Sequence, residues 1–121
     1  MKPEQFIREF GVEKAREVVE DAPDLSLFYD LEKQKHVLKE STSIAMAFLK
    51  NRFLPIEDLK RLVESVDRVN EHGGYLATKE LLSFSIVHQE AFGKDAVSDE
   101  TINSLKAAIR DHESIYRGSH A

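Results

Sequence analysis

Cysteine and tryptophan are absent from this chain of 121 residues, and proline and glycine are scarce, at three and five. Without cysteine there is no disulfide framework, no thiolate-bound zinc or iron–sulfur centre and no thiol nucleophile. No apolar run approaches the roughly 20 residues of a membrane span, and Met1-Lys2-Pro3-Glu4 does not open a signal peptide. The expectation is therefore a soluble protein of the cytoplasm with no membrane partner. Positive charge is also in deficit: 17 Lys and Arg face 22 Asp and Glu, a net charge of −5. Coating nucleic acid normally requires a basic footprint, so that class of function is disfavoured.

What the chain does have is apolar material in helical order. Hydrophobic residues make up 41% of it, including seven Phe and three Tyr, enough to bury a core. Its length suits a single domain, residues 1–121. Pro3 fits a first helical turn, Phe6, Ile7 and Phe10 follow at helical spacing, and Gly11 is a stop. Val12, Ala15, Val18, Val19 and Ala22 repeat the pattern up to Pro23, so two short N-terminal helices can form a hairpin. Ser41, Thr42 and Ser43 offer N-caps to a run of Ile44, Met46, Ala47, Phe48, Leu49 and Phe53. Leu59, Leu62, Val66 and Val69 form a stripe that ends at Gly73-Gly74. Leu76, Leu81, Leu82, Phe84, Ile86, Val87 and Phe92 fill the next segment, closed by Gly93. Ser98-Asp99-Glu100 then opens a helix carrying Ile102, Leu105, Ile109, His112 and Tyr116. The weak alternation of residues 24–31 suits a short strand or an irregular segment, whereas Glu32–Glu40 reads as more helix-like, anchored by Val37 and Leu38. The expected fold is all-α, a compact bundle of five or six helices with little or no sheet.

Chemistry finds few footholds in this pattern. The histidines at 36, 72, 88, 112 and 120 form neither His-x-His nor His-Glu-x-x-His, and none completes a Glu-x-x-His pair. Glu32, His36 and Glu40 fall one helical turn apart if that segment is helical, which is too little to assign a metal site. No Gly-x-Ser-x-Gly elbow or phosphate loop is present, so no catalytic residue, cofactor-binding residue or metal ligand is assigned. His112, on an apolar stripe, is expected to pack its ring in a partly buried position. Charge is uneven: residues 1–24 carry four basic and seven acidic side chains, residues 25–54 five basic and three acidic. Lys33, Lys35, Lys39, Lys50 and Arg52 are thus the candidate nucleic-acid contacts, whose simpler explanation is the solvated face of helices. The apolar stripes step by three and four, which packs helices within one chain and would equally serve a homodimer or a groove for a partner helix.

Two stretches carry a resemblance. Lys2-Pro3-Glu4-Gln5-Phe6-Ile7-Arg8-Glu9-Phe10-Gly11, continuing through Lys14-Ala15-Arg16-Glu17-Val18-Val19, is one. Asp58-Leu59-Lys60-Arg61-Leu62-Val63-Glu64-Ser65 with Gly73-Gly74 and the later Leu105-Lys106-Ala107-Ala108-Ile109 is the other. Together they resemble small accessory proteins encoded in the early regions of lambdoid phages and prophages of enteric bacteria; residues 24–54 lie outside the likeness. The resemblance implies an accessory role in a bacterial cytoplasm and carries no site residues across. The resulting expectation is a non-enzymatic protein that binds another protein, such as a repressor or a host enzyme that it inhibits, and needs no cofactor. Glu13, Glu17, Glu20, Glu57, Asp58 and Glu64 are its candidate contacts with a basic partner.

Overall fold

Five helices and one small sheet make up the described part of the computed structural model, which covers residues 2–22, 26–32, 34–38 and 53–116. The chain divides into two compact units, residues 1–63 and 64–121.

The first unit begins with α1 (Pro3–Phe10), whose Pro3 fills the first turn, where an amide hydrogen would have no partner. Gly11 follows with φ +89°, a conformation that strains any residue bearing a Cβ, and its amide closes the helix on the Ile7 carbonyl at 2.8 Å. The chain re-enters a helix at once as α2 (Val12–Glu20). Phe6 and Ile7 on α1, and Ala15 and Val18 on α2, are the buried residues of this hairpin.

A three-stranded antiparallel sheet follows, in the order β2-β1-β3, from β1 (Ser26–Asp30), β2 (Lys35–Leu38) and β3 (Phe53–Pro55). Tyr29 on the central strand sits opposite His36 on one side and Leu54 on the other. The β1–β2 turn is set by Asp30, whose Oδ1 accepts the Glu32 amide at 3.0 Å, and by Gln34 at φ +54°. Pro55 ends an edge strand, where a missing donor is tolerated.

The sheet corrects the all-helical expectation, although the protein is mostly helical. Alternation at residues 24–31 did signal a strand. The helix-like reading of Glu32–Glu40 fails at Lys35–Leu38, because pairing with β1 and a bond from His36 Nε2–H to the Val18 carbonyl (2.6 Å) hold that segment extended. Phe53, expected at the end of a helical run, belongs to β3. The rest of that expected helix lies outside the described residues.

Helix α3 (Ile56–Glu71) starts directly after β3 with Glu57 and Asp58 in its first turn, where the helix dipole favours acid. Ile56, Leu59, Leu62, Val63, Val66 and Val69 are all buried. The unit boundary falls within this helix, after Val63.

The second unit continues from Glu64 through a two-glycine turn. The Gly74 amide bonds Val69 O at 2.9 Å and the Gly73 amide bonds Asn70 O at 3.1 Å, a doubly bonded helix stop with both glycines at positive φ. Helix α4 (Tyr75–Phe92) packs on α5 (Asp99–Tyr116). Ser98 caps α5, its Oγ accepting the Thr101 amide at 3.1 Å. Ile102, Leu105, Ala108, Ile109 and Ile115 are its buried apolar residues. Between α3 and α5 the buried Ser65 hydroxyl donates to Asp111 Oδ2 at 2.7 Å.

Candidate functional site

Helix α4 is inverted. Its fully or nearly buried residues are polar, Thr78 and Ser85, whereas Leu76, Phe84, Val87 and Phe92 are 70%, 65%, 64% and 69% exposed. The buried hydroxyl is accommodated: Thr78 Oγ1 donates to Gly74 O at 2.7 Å, with Val69 O also within reach at 3.2 Å. Half-buried Leu81, Leu82 and Ile86 supply the apolar contribution on the inner side. The exposed polar residues Lys79, Ser83 and Glu90 fall on one narrow side of α4, separate from that of Phe84.

The outer face is ordered by its rings. His88 stacks with Phe84 at 5.5 Å between centroids and meets Phe92 at 4.7 Å, so three rings at intervals of four residues form a ladder. At 100° per residue, Ala77, Glu80, Val87, His88 and Ala91 fall within about 60° of Phe84, with Leu76 and Phe92 about 80° to either side of it. This is a continuous apolar strip with one acid and one imidazole set in it.

A second cluster joins the start of α4 to the end of α5. Tyr75 stacks on His112 at 5.3 Å, and His112 meets Tyr116 at 4.7 Å. Lys79 Nζ lies 5.3 Å from the Tyr75 ring centre, and the Tyr75 hydroxyl donates to Glu113. Partial burial pushes the Tyr116 hydroxyl above its ordinary pKa. His112 is half-buried and packs its ring, as its stripe position led us to expect. Farther along the unit, a groove of ≈ 340 Å³ is lined by Arg68, His72, Leu81, Ser85, Ser98 and Thr101. Near it, Gln89 Nε2 donates to Val97 O and Asp99 Oδ1, both at 2.9 Å. The Lys94 ammonium, 2.9 Å from Asp99, together with Gln89 holds that carboxyl below its ordinary pKa.

The acidic residues singled out from sequence are on the surface. Glu13, Glu17 and Glu20 are exposed along one face of α2, Glu57 and Asp58 in the first turn of α3, and Glu64 farther along it. Local ion pairs offset part of this charge: Arg16 with Glu13 at 3.4 Å, Lys14 with Glu17 at 3.7 Å and Arg61 with Asp58 at 3.8 Å. Glu64 joins Asp67, Arg68 and Glu71 around a second groove. Of the basic candidates, Lys35 is exposed on β2. Lys33, Lys39, Lys50 and Arg52 lie outside the described residues. Glu32 and His36 are not a helical turn apart, because Glu32 sits in the hairpin turn and His36 on β2, with Nε2 bonded to Val18. Among the described residues no three His, Asp or Glu side chains converge to hold a metal ion, and no helix is long and apolar enough to cross a membrane.

Sequence reasoning passed over the α4 strip, treating Phe84, Val87 and Phe92 as part of a packed segment. The available signal was that α4 carries apolar residues on two opposite sides, more than packing against one neighbour can cover. No known protein family, curated protein or solved structure matches this chain.

Proposed function

We propose that this protein works by binding another polypeptide rather than by catalysis, using the outer face of α4 as a contact surface. The observation that carries this reading is the inversion of α4: four large apolar side chains are about two-thirds exposed while Thr78 and Ser85 are buried. Contiguous exposed apolar patches mark interaction surfaces, since water otherwise opposes them. Aromatic rings held in a ladder lose little freedom on contact, which favours affinity. The exposed carboxylates of α2 and α3 add long-range attraction for a basic partner and would raise its encounter rate. With the phage-accessory role that the resemblance implies, that partner is a repressor or a host enzyme that the chain inhibits.

The test is affinity purification from a cell carrying the parent prophage, with the wild type and a Phe84→Glu/Val87→Glu variant compared side by side. Phe84 and Val87 are exposed, so the variant is expected to keep its helical circular dichroism. A protein identified by mass spectrometry that is held by the wild type and lost from the variant supports the reading. Identical retention by both sinks it.

A further inference from the structure

The groove of ≈ 340 Å³ in the second unit has the chemistry of an anion site. We infer that it binds a small phosphomonoester whose organic part carries an amine or a hydroxyl. This site is separate from the contact surface on the outer face of α4 and does not depend on it.

The lining follows from spacing. Arg68 and His72 on α3, and Leu81 and Ser85 on α4, are each one helical turn apart, and Ser98 and Thr101 step by three at the start of α5. Each of the three helices thus turns one narrow face to the same space. Ser85 is the informative member. It is only 6% exposed, it lines the groove, and its hydroxyl has no hydrogen-bond partner among the described residues. Nor is Ser85 Oγ sealed in, since it keeps access to the space of the groove. Thr78, on the same helix, satisfies its buried hydroxyl within its own turn, donating to Gly74 O at 2.7 Å. Ser85 makes no such bond. A buried hydroxyl without a partner is destabilising, and an oxygen of a ligand in the groove would satisfy it.

Positive charge around the groove is equally unspent. Arg68 shares a second groove with Glu64 and Glu71, yet among the described residues no ion pair or side-chain hydrogen bond engages its guanidinium. That group is permanently charged, and its fork of donors matches the oxygens of a phosphate. At the start of α5 the amides of Asp99 and Glu100 find no acceptor among the described residues, and the helix dipole favours an anion there. Ser98 Oγ and Thr101 Oγ1 are 2.9 Å apart, so whichever hydroxyl donates, the other keeps its hydrogen for a ligand.

Charge and size then set the class of ligand. Glu100 is the one carboxylate lining the groove, and the chain carries −5 overall. A polyanion such as nucleic acid is repelled by that balance, whereas a single phosphate is held by one guanidinium with hydroxyl and amide donors. The volume lies at the low end of the ~300–1,000 Å³ typical of small-molecule pockets, which leaves room for an organic part beside the phosphate. An amine or hydroxyl on that part gives Glu100 a donor to accept from.

The experiment is an NMR titration of the full chain with phosphoethanolamine, with inorganic phosphate and sodium chloride at matched ionic strength as further arms. Saturable shifts at His72, Ser85 and Thr101 that chloride does not produce are expected. Arg68→Ala, checked by circular dichroism, should weaken binding about tenfold or more. Ser85→Ala should weaken it about threefold or more, while its urea midpoint stays level or rises, because the lost hydroxyl bonds nothing in the free protein. A hydroxyl with a purely structural role would lower that midpoint instead. Glu100→Gln should weaken phosphoethanolamine and tighten inorganic phosphate. Tightening of both overturns the role of the organic part. Shifts that do not saturate, that chloride reproduces, or that survive both Arg68→Ala and Ser85→Ala overturn the site. The Phe84→Glu/Val87→Glu variant should bind phosphoethanolamine as the wild type does, which keeps this test apart from that of the α4 surface.

Discussion

Helices α3 and α4 are consecutive, of nearly equal length and joined by two glycines, yet they sort their residues in opposite ways. On α3 the apolar stripe is buried and Glu57, Asp58 and Glu64 face water. On α4 Thr78 and Ser85 go inside and Phe84, Val87 and Phe92 stay out. The contrast teaches that the two helices serve different purposes. Burying Leu59 or Leu62 fully contributes about 1.5–3 kcal/mol each to the folded state. The exposed rings of α4 contribute little of that until something covers them.

The strongest way to break this comparison is to truncate one residue on each helix. Leu62→Ala, at a fully buried position, should cost about 2–5 kcal/mol in urea unfolding. Phe84→Ala, at an exposed position, should stay within about 0.5 kcal/mol of wild type. Equal costs would mean that α4 is not inverted at all. A smaller effect is expected from Ser65→Ala, which deprives the buried Asp111 carboxylate of a hydroxyl donor and should cost about 1–3 kcal/mol. An unchanged urea midpoint would show that this bond does not hold α3 to α5.

The joint between the two helices comes next. Gly73→Ala forces a Cβ onto a backbone at φ +98° and to 3.3 Å from the Ala77 Cβ. A loss of about 1–2 kcal/mol is expected, and a neutral result would mean that the turn relaxes without cost. The smallest effect concerns Asp99 beyond the end of α4. Its pKa is lowered in the fold, so its contribution to stability is present above the unfolded-state value and fades as pH falls through the folded one. Lys94→Ala should move the Asp99 carboxyl titration, followed by NMR, back toward the ordinary carboxylate value. An unmoved titration would assign the shift to Gln89 alone.

The helical part of the fold was legible because its punctuation is local. Pro3, Gly11, Gly73-Gly74, Gly93 and Ser98 each act within one turn, so they mark helix ends without knowledge of what packs where. The hairpin was half legible. Residues 24–31 alternate weakly, but Lys35-His36-Val37-Leu38 is too short for periodicity to decide, and its form is set by Tyr29 across the ladder and the Val18 carbonyl beyond it. Surface placement of the acidic candidates follows from charge alone. The α4 strip did not, because a helix with apolar residues on two opposite sides does not announce which of them will be outermost.

The unequal reach of the two strand pairings in the first unit implies an order of assembly. Tyr29 finds His36 seven positions along, from 29 to 36, but Leu54 is twenty-five positions away, from 29 to 54. Closing the longer span costs about 1 kcal/mol more in chain entropy, while a hairpin forms in about 1–10 μs. The β1–β2 ribbon is therefore the template and β3 the latecomer. Removing the Leu54 side chain should then mainly hasten unfolding, whereas damage to the turn at Asp30 and Gln34 slows the way in.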